Sequence, residues 1–134
     1  MVEFMIHGQR LCGDITYTLN GEFLYLYHCH CAECRRFSGS SHATNTMIHA
    51  TDLQISDSNN KLTVFALSEG ARHFCSSCGA PIYSTADGGE IAALHCGSIS
   101  NPPNKALEGN QWTSEKCPWV IIDESLTNFE RGPK

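Results

Sequence analysis

No stretch of this sequence is both apolar and long enough to cross a bilayer as a helix. No cluster of lysines and arginines supplies the basic footprint of a nucleic-acid binder. Lys and Arg number 9 against 14 Asp and Glu, and the net charge of −5 disfavours a polyanionic partner. No long segment repeats its apolar residues at helical spacing, which excludes a helical bundle. A phosphate-binding glycine loop, a dinucleotide fingerprint and a G-x-S-x-G elbow are all missing, so the chemistries they carry are unsupported. The opening MVEFMIHGQR has neither an apolar core segment nor a small-residue cleavage site, so the expectation is no signal peptide and a cytoplasmic chain. No linker, repeat or low-complexity run interrupts residues 1–134, and that length suits one domain able to bury its own core.

What is present is a succession of short strand patterns. Ile15, Tyr17 and Leu19 alternate with polar residues, Asn20-Gly21 is a tight-turn dipeptide, and FLYLY follows at Phe23–Tyr27, so Asp14 to His28 reads as a hairpin. Ala32 to Phe37 reads as a helical turn ended at Gly39. Further strands are expected at Met47–Ile48, Leu62–Leu67, Pro81–Ser84, Ile91–Cys96 and, last, Pro118–Ile122. Asp57–Asn60 and Ser68–Gly70 read as loops, and Asp87-Gly88-Gly89 as a turn. About eight strands with one short helix make the fold mainly β.

The second abundance is cysteine. Eight cysteines in a chain expected in a reducing compartment are more often metal ligands than disulfides. Cys29, Cys31 and Cys34 form C-x-C-x-x-C in HCHCAECRRFSG, a spacing that lets three thiolates converge on one soft cation, with zinc the default. Three protein ligands leave a fourth position for water or substrate, as in catalytic zinc. Cys75 and Cys78 form a C-x-x-C-G knuckle. Spacing leaves two partitions open. Cys31, Cys34, Cys75 and Cys78 could close one four-cysteine zinc, or Cys75 and Cys78 could join Cys12 and leave the first cluster its own metal. The second partition is preferred, because the first strands Cys12 and Cys29.

Arg35 and Arg36 follow the third thiolate. A guanidinium there would offset an anionic zinc-thiolate centre and could grip a carboxylate in bidentate fashion. His28 and His30 flank Cys29 and are candidates for a role near the site. Phe37, Trp112 and Trp119 are expected as core or pocket walls.

Taken together, Cys12-Gly13, HCHCAECRRFSGS, RHFCSSCGAPIYS, GSI and CPWV occur in the order and at the spacings of the glutathione-dependent formaldehyde-activating family, which includes the centromere protein V-like domains. The chain resembles that family from Gly8 to about Phe129. The resemblance implies a β-tent, Mss4-like zinc-binding fold. It implies a catalytic zinc on Cys29, Cys31 and Cys34 and a structural zinc using Cys12, Cys75 and Cys78, up to two zinc ions per chain. It further implies a carbon–sulfur lyase type of reaction, in which glutathione or a similar thiol and a small aldehyde such as formaldehyde form or release an S-hydroxymethyl adduct. The alternative is a non-catalytic, zinc-stabilised binding module of Mss4-like type. The expected partners are therefore small molecules, with no nucleic acid and no membrane, and a homodimer is the oligomeric option left open. The family pattern begins C-x-C-G, whereas this chain has Arg10 in place of the first cysteine. Arginine cannot ligate zinc because it stays protonated. Cys96, level with water or an empty site, is the leading candidate for the missing fourth position, with His7 and Cys117 behind it.

Overall fold

The structure is a computed structural model and describes residues 5–86 and 88–132. Among these residues are eleven strands and one α-helix. The smaller sheet is antiparallel and ordered β1 (Ile6–Gln9), β2 (Thr16–Leu19), β5 (Leu53–Ser56). The larger sheet runs β11 (Thr127–Asn128), β10 (Gly109–Gln111), β3 (Tyr25–Cys29), β4 (Ala43–His49), β9 (Ile91–His95), β8 (Pro81–Thr85), β7 (Ala71–Cys75), β6 (Leu62–Ala66). Its pairs are antiparallel except where β10 lies parallel to β3 and β11. The mainly-β expectation is met. No described helix is long and apolar enough to cross a membrane.

The two sheets enclose a core in which Ile15, Leu19, Ile48, Ile82 and Leu94 are fully buried, with Tyr17 and Phe23 beside them. Each such aliphatic side chain stabilises the fold by about 1.5–3 kcal/mol. The alternation of β2 delivers Tyr17 and Leu19 to this core while Thr16 faces solvent. Polar links also join the sheets: Tyr17 Oη and Ser98 Oγ lie 2.6 Å apart, and Gly8 bridges Ile99.

Two expectations fail. Asp14–His28 is not a hairpin: β2 pairs with β1 and β5, whereas β3 pairs with β4 and β10. The Asn20-Gly21 segment crosses between sheets, its backbone tied outward by Asn20 N–H to Asp52 O and Leu24 N–H to Met47 O. A Cβ at Gly21 would meet the Asp52 carboxylate, which would have to move aside. Pro118–Ile122 is not a strand either. Trp119 and Ile121 are 72% and 96% exposed, and Val120 N–H turns back to Cys117 O. A strand absent from the sequence-based expectations is the short polar segment Gly109–Gln111, entirely buried and paired with β3. Asp87, in the expected 87–89 turn, lies outside the described residues.

Candidate metal centres

The first cysteine cluster sits where β3 ends and the helix begins. Cys29 is the last residue of β3, held between Ala43 of β4 and Gln111 of β10. The chain turns at His30, and Cys31 becomes the N-cap of α1 (Ala32–Ser38). The Cys31 sulfur accepts the Cys34 N–H at 3.3 Å, in the way an N-cap oxygen satisfies an unpaired donor of the first turn. That bond brings Cys34 back toward Cys31. Gly39 then ends the helix at φ 70°, in the left-handed conformation that glycine adopts at least cost, with its N–H on Arg35 O. The three sulfurs lie within 4.8 Å of one another, and Cys29 and Cys31 are 3.5 Å apart. Tetrahedral zinc with bonds of about 2.3 Å separates its sulfurs by about 3.8 Å, so this donor set fits zinc.

The protons of this triad are shared. Hydrogen bonds from Cys29 and Cys34, then the Cys34 backbone N–H and the Arg72 charge, pull the Cys31 thiol down to about 2. The Cys29 thiol is raised by its bonds to Cys31 and Cys34 and by burial. One sulfur therefore carries an anionic charge readily even before a cation binds.

The cation facing these sulfurs is Arg72. It stands on β7, 9% exposed, with Nη1 and Nη2 each 3.8 Å from Cys34 Sγ. Its fork is fixed by Ser84 Oγ, which accepts from Nη1 at 3.0 Å, by Glu33 at 4.0 Å and by the Phe37 ring, whose centroid is 5.3 Å from Cζ. Ser84 Oγ also lies 3.4 Å from His95 Nε2. Burial, then Arg72 and Arg10, hold His95 down to about 4, so the ring is neutral at physiological pH. The sulfurs open into a cavity of about 280 Å³ walled by Tyr27, Met47, Leu67 and Trp112, with Glu33 and Glu69 at its polar side. Among the described residues, no fourth cysteine, histidine or carboxylate joins the triad.

The second cluster joins the two sheets. Cys12 comes from the loop between β1 and β2, Cys75 ends β7, and Cys78 follows it in a turn. Cys12 and Cys75 sulfurs are 3.6 Å apart, and all three sulfurs lie within 4.8 Å. Gly79, at φ 76°, closes the knuckle with its N–H on Cys75 O. Burial raises the Cys78 thiol, but backbone N–H groups of Ala80 and Cys12 and the Cys12 and Cys75 side chains outweigh it and bring it to about 7. This donor set also fits zinc.

The geometry thus separates the cysteines into two triads rather than one four-cysteine group. Cys96 joins neither. It packs against the core, its thiol directed to Leu94 O at 3.7 Å, and burial raises it to about 12. The candidate fourth ligand is a partly buried thiol packed on the core where the structure places it, at the start of the single-turn 3₁₀ segment after β9. Arg35 and Arg36 are not brought to the cavity of the first triad. Arg35 Nε donates to His30 O, and both arginines line a different cavity with Ser40, Ser41, Cys117 and Trp119. His30 is fully buried and its Nε2 meets Asn110 Oδ1 at 2.8 Å; His28 stacks on His42 at 3.9 Å. Neither histidine joins a triad.

Comparison with known proteins shows the family of the chain. The family model described as "Glutathione-dependent formaldehyde-activating enzyme" matches residues 5–115. No curated protein matches. Among solved structures, the crystal structure of a Rhodobacter sphaeroides protein, a structural-genomics target, aligns with a TM-score of 0.60 at 19% identity, covering 73% of this chain and 91% of that one. At that identity the likeness is one of fold.

Proposed function

Because this chain belongs to the glutathione-dependent formaldehyde-activating enzyme family, we propose that it makes or breaks the carbon–sulfur bond between a small thiol, glutathione or one like it, and formaldehyde or a similar small aldehyde. The reaction balances without an oxidant. The thiol S–H gives up its proton to water, the sulfur lone pair forms the bond to the carbonyl carbon, and the carbonyl oxygen takes a proton to become the hydroxyl of an S-hydroxymethyl adduct. The reverse course releases aldehyde and thiol.

The observation that carries this reading is the three-sulfur triad facing a cavity, with no fourth ligand among the described residues. Cys29, Cys31 and Cys34 would hold zinc, which when bound supplies an electrophilic position that acidifies and orients a thiol. Arg72 offsets the negative charge of the thiolates through Cys34 and is itself held rigid by Ser84, Glu33 and Phe37. Leu67, Met47 and Trp112 exclude water from one side, which strengthens these electrostatic contacts.

The test is exchange of carbon-labelled formaldehyde into its glutathione adduct, followed by magnetisation transfer. Zinc-loaded protein should accelerate exchange above buffer, and Cys34→Ser should abolish the acceleration while the second triad keeps its zinc. No acceleration by loaded wild-type protein would overturn the catalytic reading in favour of a zinc-stabilised binding module.

A further inference from the structure

Arg10 is the most deeply buried charge among the described residues, 2% exposed. It makes no ion pair with any described carboxylate. Of its five N–H donors, only one on Nη2 has a protein acceptor, the Gln9 carbonyl at 3.3 Å, and Nε is buried without a partner. Among the described residues it donates to none of the sulfurs of Cys12, Cys75 and Cys78, unlike Arg72, which reaches Cys34. A buried guanidinium left this way is costly, and folds retain one where something completes its bonds.

What it faces is a cavity of about 580 Å³, separate from the cavity of the first triad. Gln9, Ser38, His42, Thr44 and Ser98 add polar atoms to its wall. His42 Nδ1 is a second buried nitrogen without a partner. Leu11, Ala80 and Pro81 supply an apolar side. Unpartnered nitrogens of Arg10 and His42 together with aliphatic lining residues describe a receptor for an anionic head on a small apolar body.

We propose that this cavity is a second ligand site, which takes a small aliphatic carboxylate with its head on Arg10. The planar guanidinium presents parallel N–H donors that match the two carboxylate oxygens. A carboxylate brings one negative charge and a phosphate dianion two, beside a cation that already feels the sulfurs of Cys12, Cys75 and Cys78, so the singly charged head is the better match. The unpartnered Nδ1 of His42 offers a further donor in one tautomer. The cysteine of the family pattern at this position would offer no such donor set.

The experiment uses the zinc-loaded chain and butyrate as probe. Saturable line broadening of butyrate resonances and a saturable rise in melting temperature are expected, weaker with acetate and weaker still with sulfate or chloride at equal ionic strength. Arg10→Cys and Arg10→Met should both lose the effect. The zinc content of Arg10→Cys, measured alongside, shows that the variant is folded, and Arg10→Met serves if it is not. A shift equal to that of chloride, or one that survives both substitutions, would overturn the site. A stronger response to sulfate or phosphate would overturn the carboxylate assignment.

Discussion

Three arginines and a histidine show how far single residues depart from what their position in the chain suggests. Arg35 and Arg36 adjoin Cys34 in sequence, yet α1 carries them to another face, and the cation at the sulfurs arrives from 38 residues away on β7. Sequence proximity could not reveal Arg72, because the sheet order β4-β9-β8-β7 brings it there. The one signal was that Arg72 opens the RHFC block. Removing a hydrogen bond to a charged group costs about 1.5–3 kcal/mol, so Arg72→Met should weaken glutathione binding by about ten- to a hundredfold in calorimetry. The Arg35→Ala, Arg36→Ala double variant should stay within about twofold, as surface substitutions do. Equal losses in both would reassign the cation. His95 predicts a pH effect. Its folded-state pKa of about 4 lies below the ordinary 6.5, so the unfolded chain binds the extra proton between those values. The stabilisation from keeping the ring neutral is fully present above pH 6.5 and declines as pH falls toward 4, by roughly 3 kcal/mol in all. Melting temperature should therefore drop over that window in wild type, and His95→Gln should flatten the slope. An unchanged slope would mean that other groups set it.

At the scale of elements, the helix and the central strands were legible because their patterns are local. Ala32–Phe37 ended by Gly39 became Ala32–Ser38 with Gly39 as its left-handed cap, and Ile91–Cys96 became Ile91–His95. Pairing was not legible. Asn20-Gly21 is a hairpin signal only if its flanking strands prefer each other, and here β2 completes one sheet while β3 completes the other. The apolar run at Pro118 misled because its side chains face solvent, while buried Gly109–Gln111 is polar and only three residues long. The same elements divide labour between the triads. Cys12 belongs to a loop of the small sheet and Cys75 and Cys78 to the large one, so a metal there cross-links the sheets. The first triad spans one strand end and the helix that follows it. A structural zinc contributes folding free energy directly. Cys75→Ser should thus lower the melting temperature by about 10 °C or more, and Cys31→Ser by clearly less, in calorimetry of zinc-loaded protein. Equal losses would contradict the division.

Across the whole molecule, the fold serves as a frame holding two sulfur triads apart in different settings. One triad lies where the two sheets meet. The other opens on a cavity, under an arginine that the far strands supply. The central claim is that the Cys29–Cys31–Cys34 centre keeps a position free for a thiol. Zinc-edge X-ray absorption before and after adding glutathione tests it most directly, with Cys31→Ser as the control that removes only this centre. The account predicts three sulfurs and one light atom at the first centre in the free protein, and a gain of one sulfur there with glutathione that Cys31→Ser abolishes. Four sulfurs before any thiol is added, or a spectrum that glutathione leaves unchanged, would contradict it.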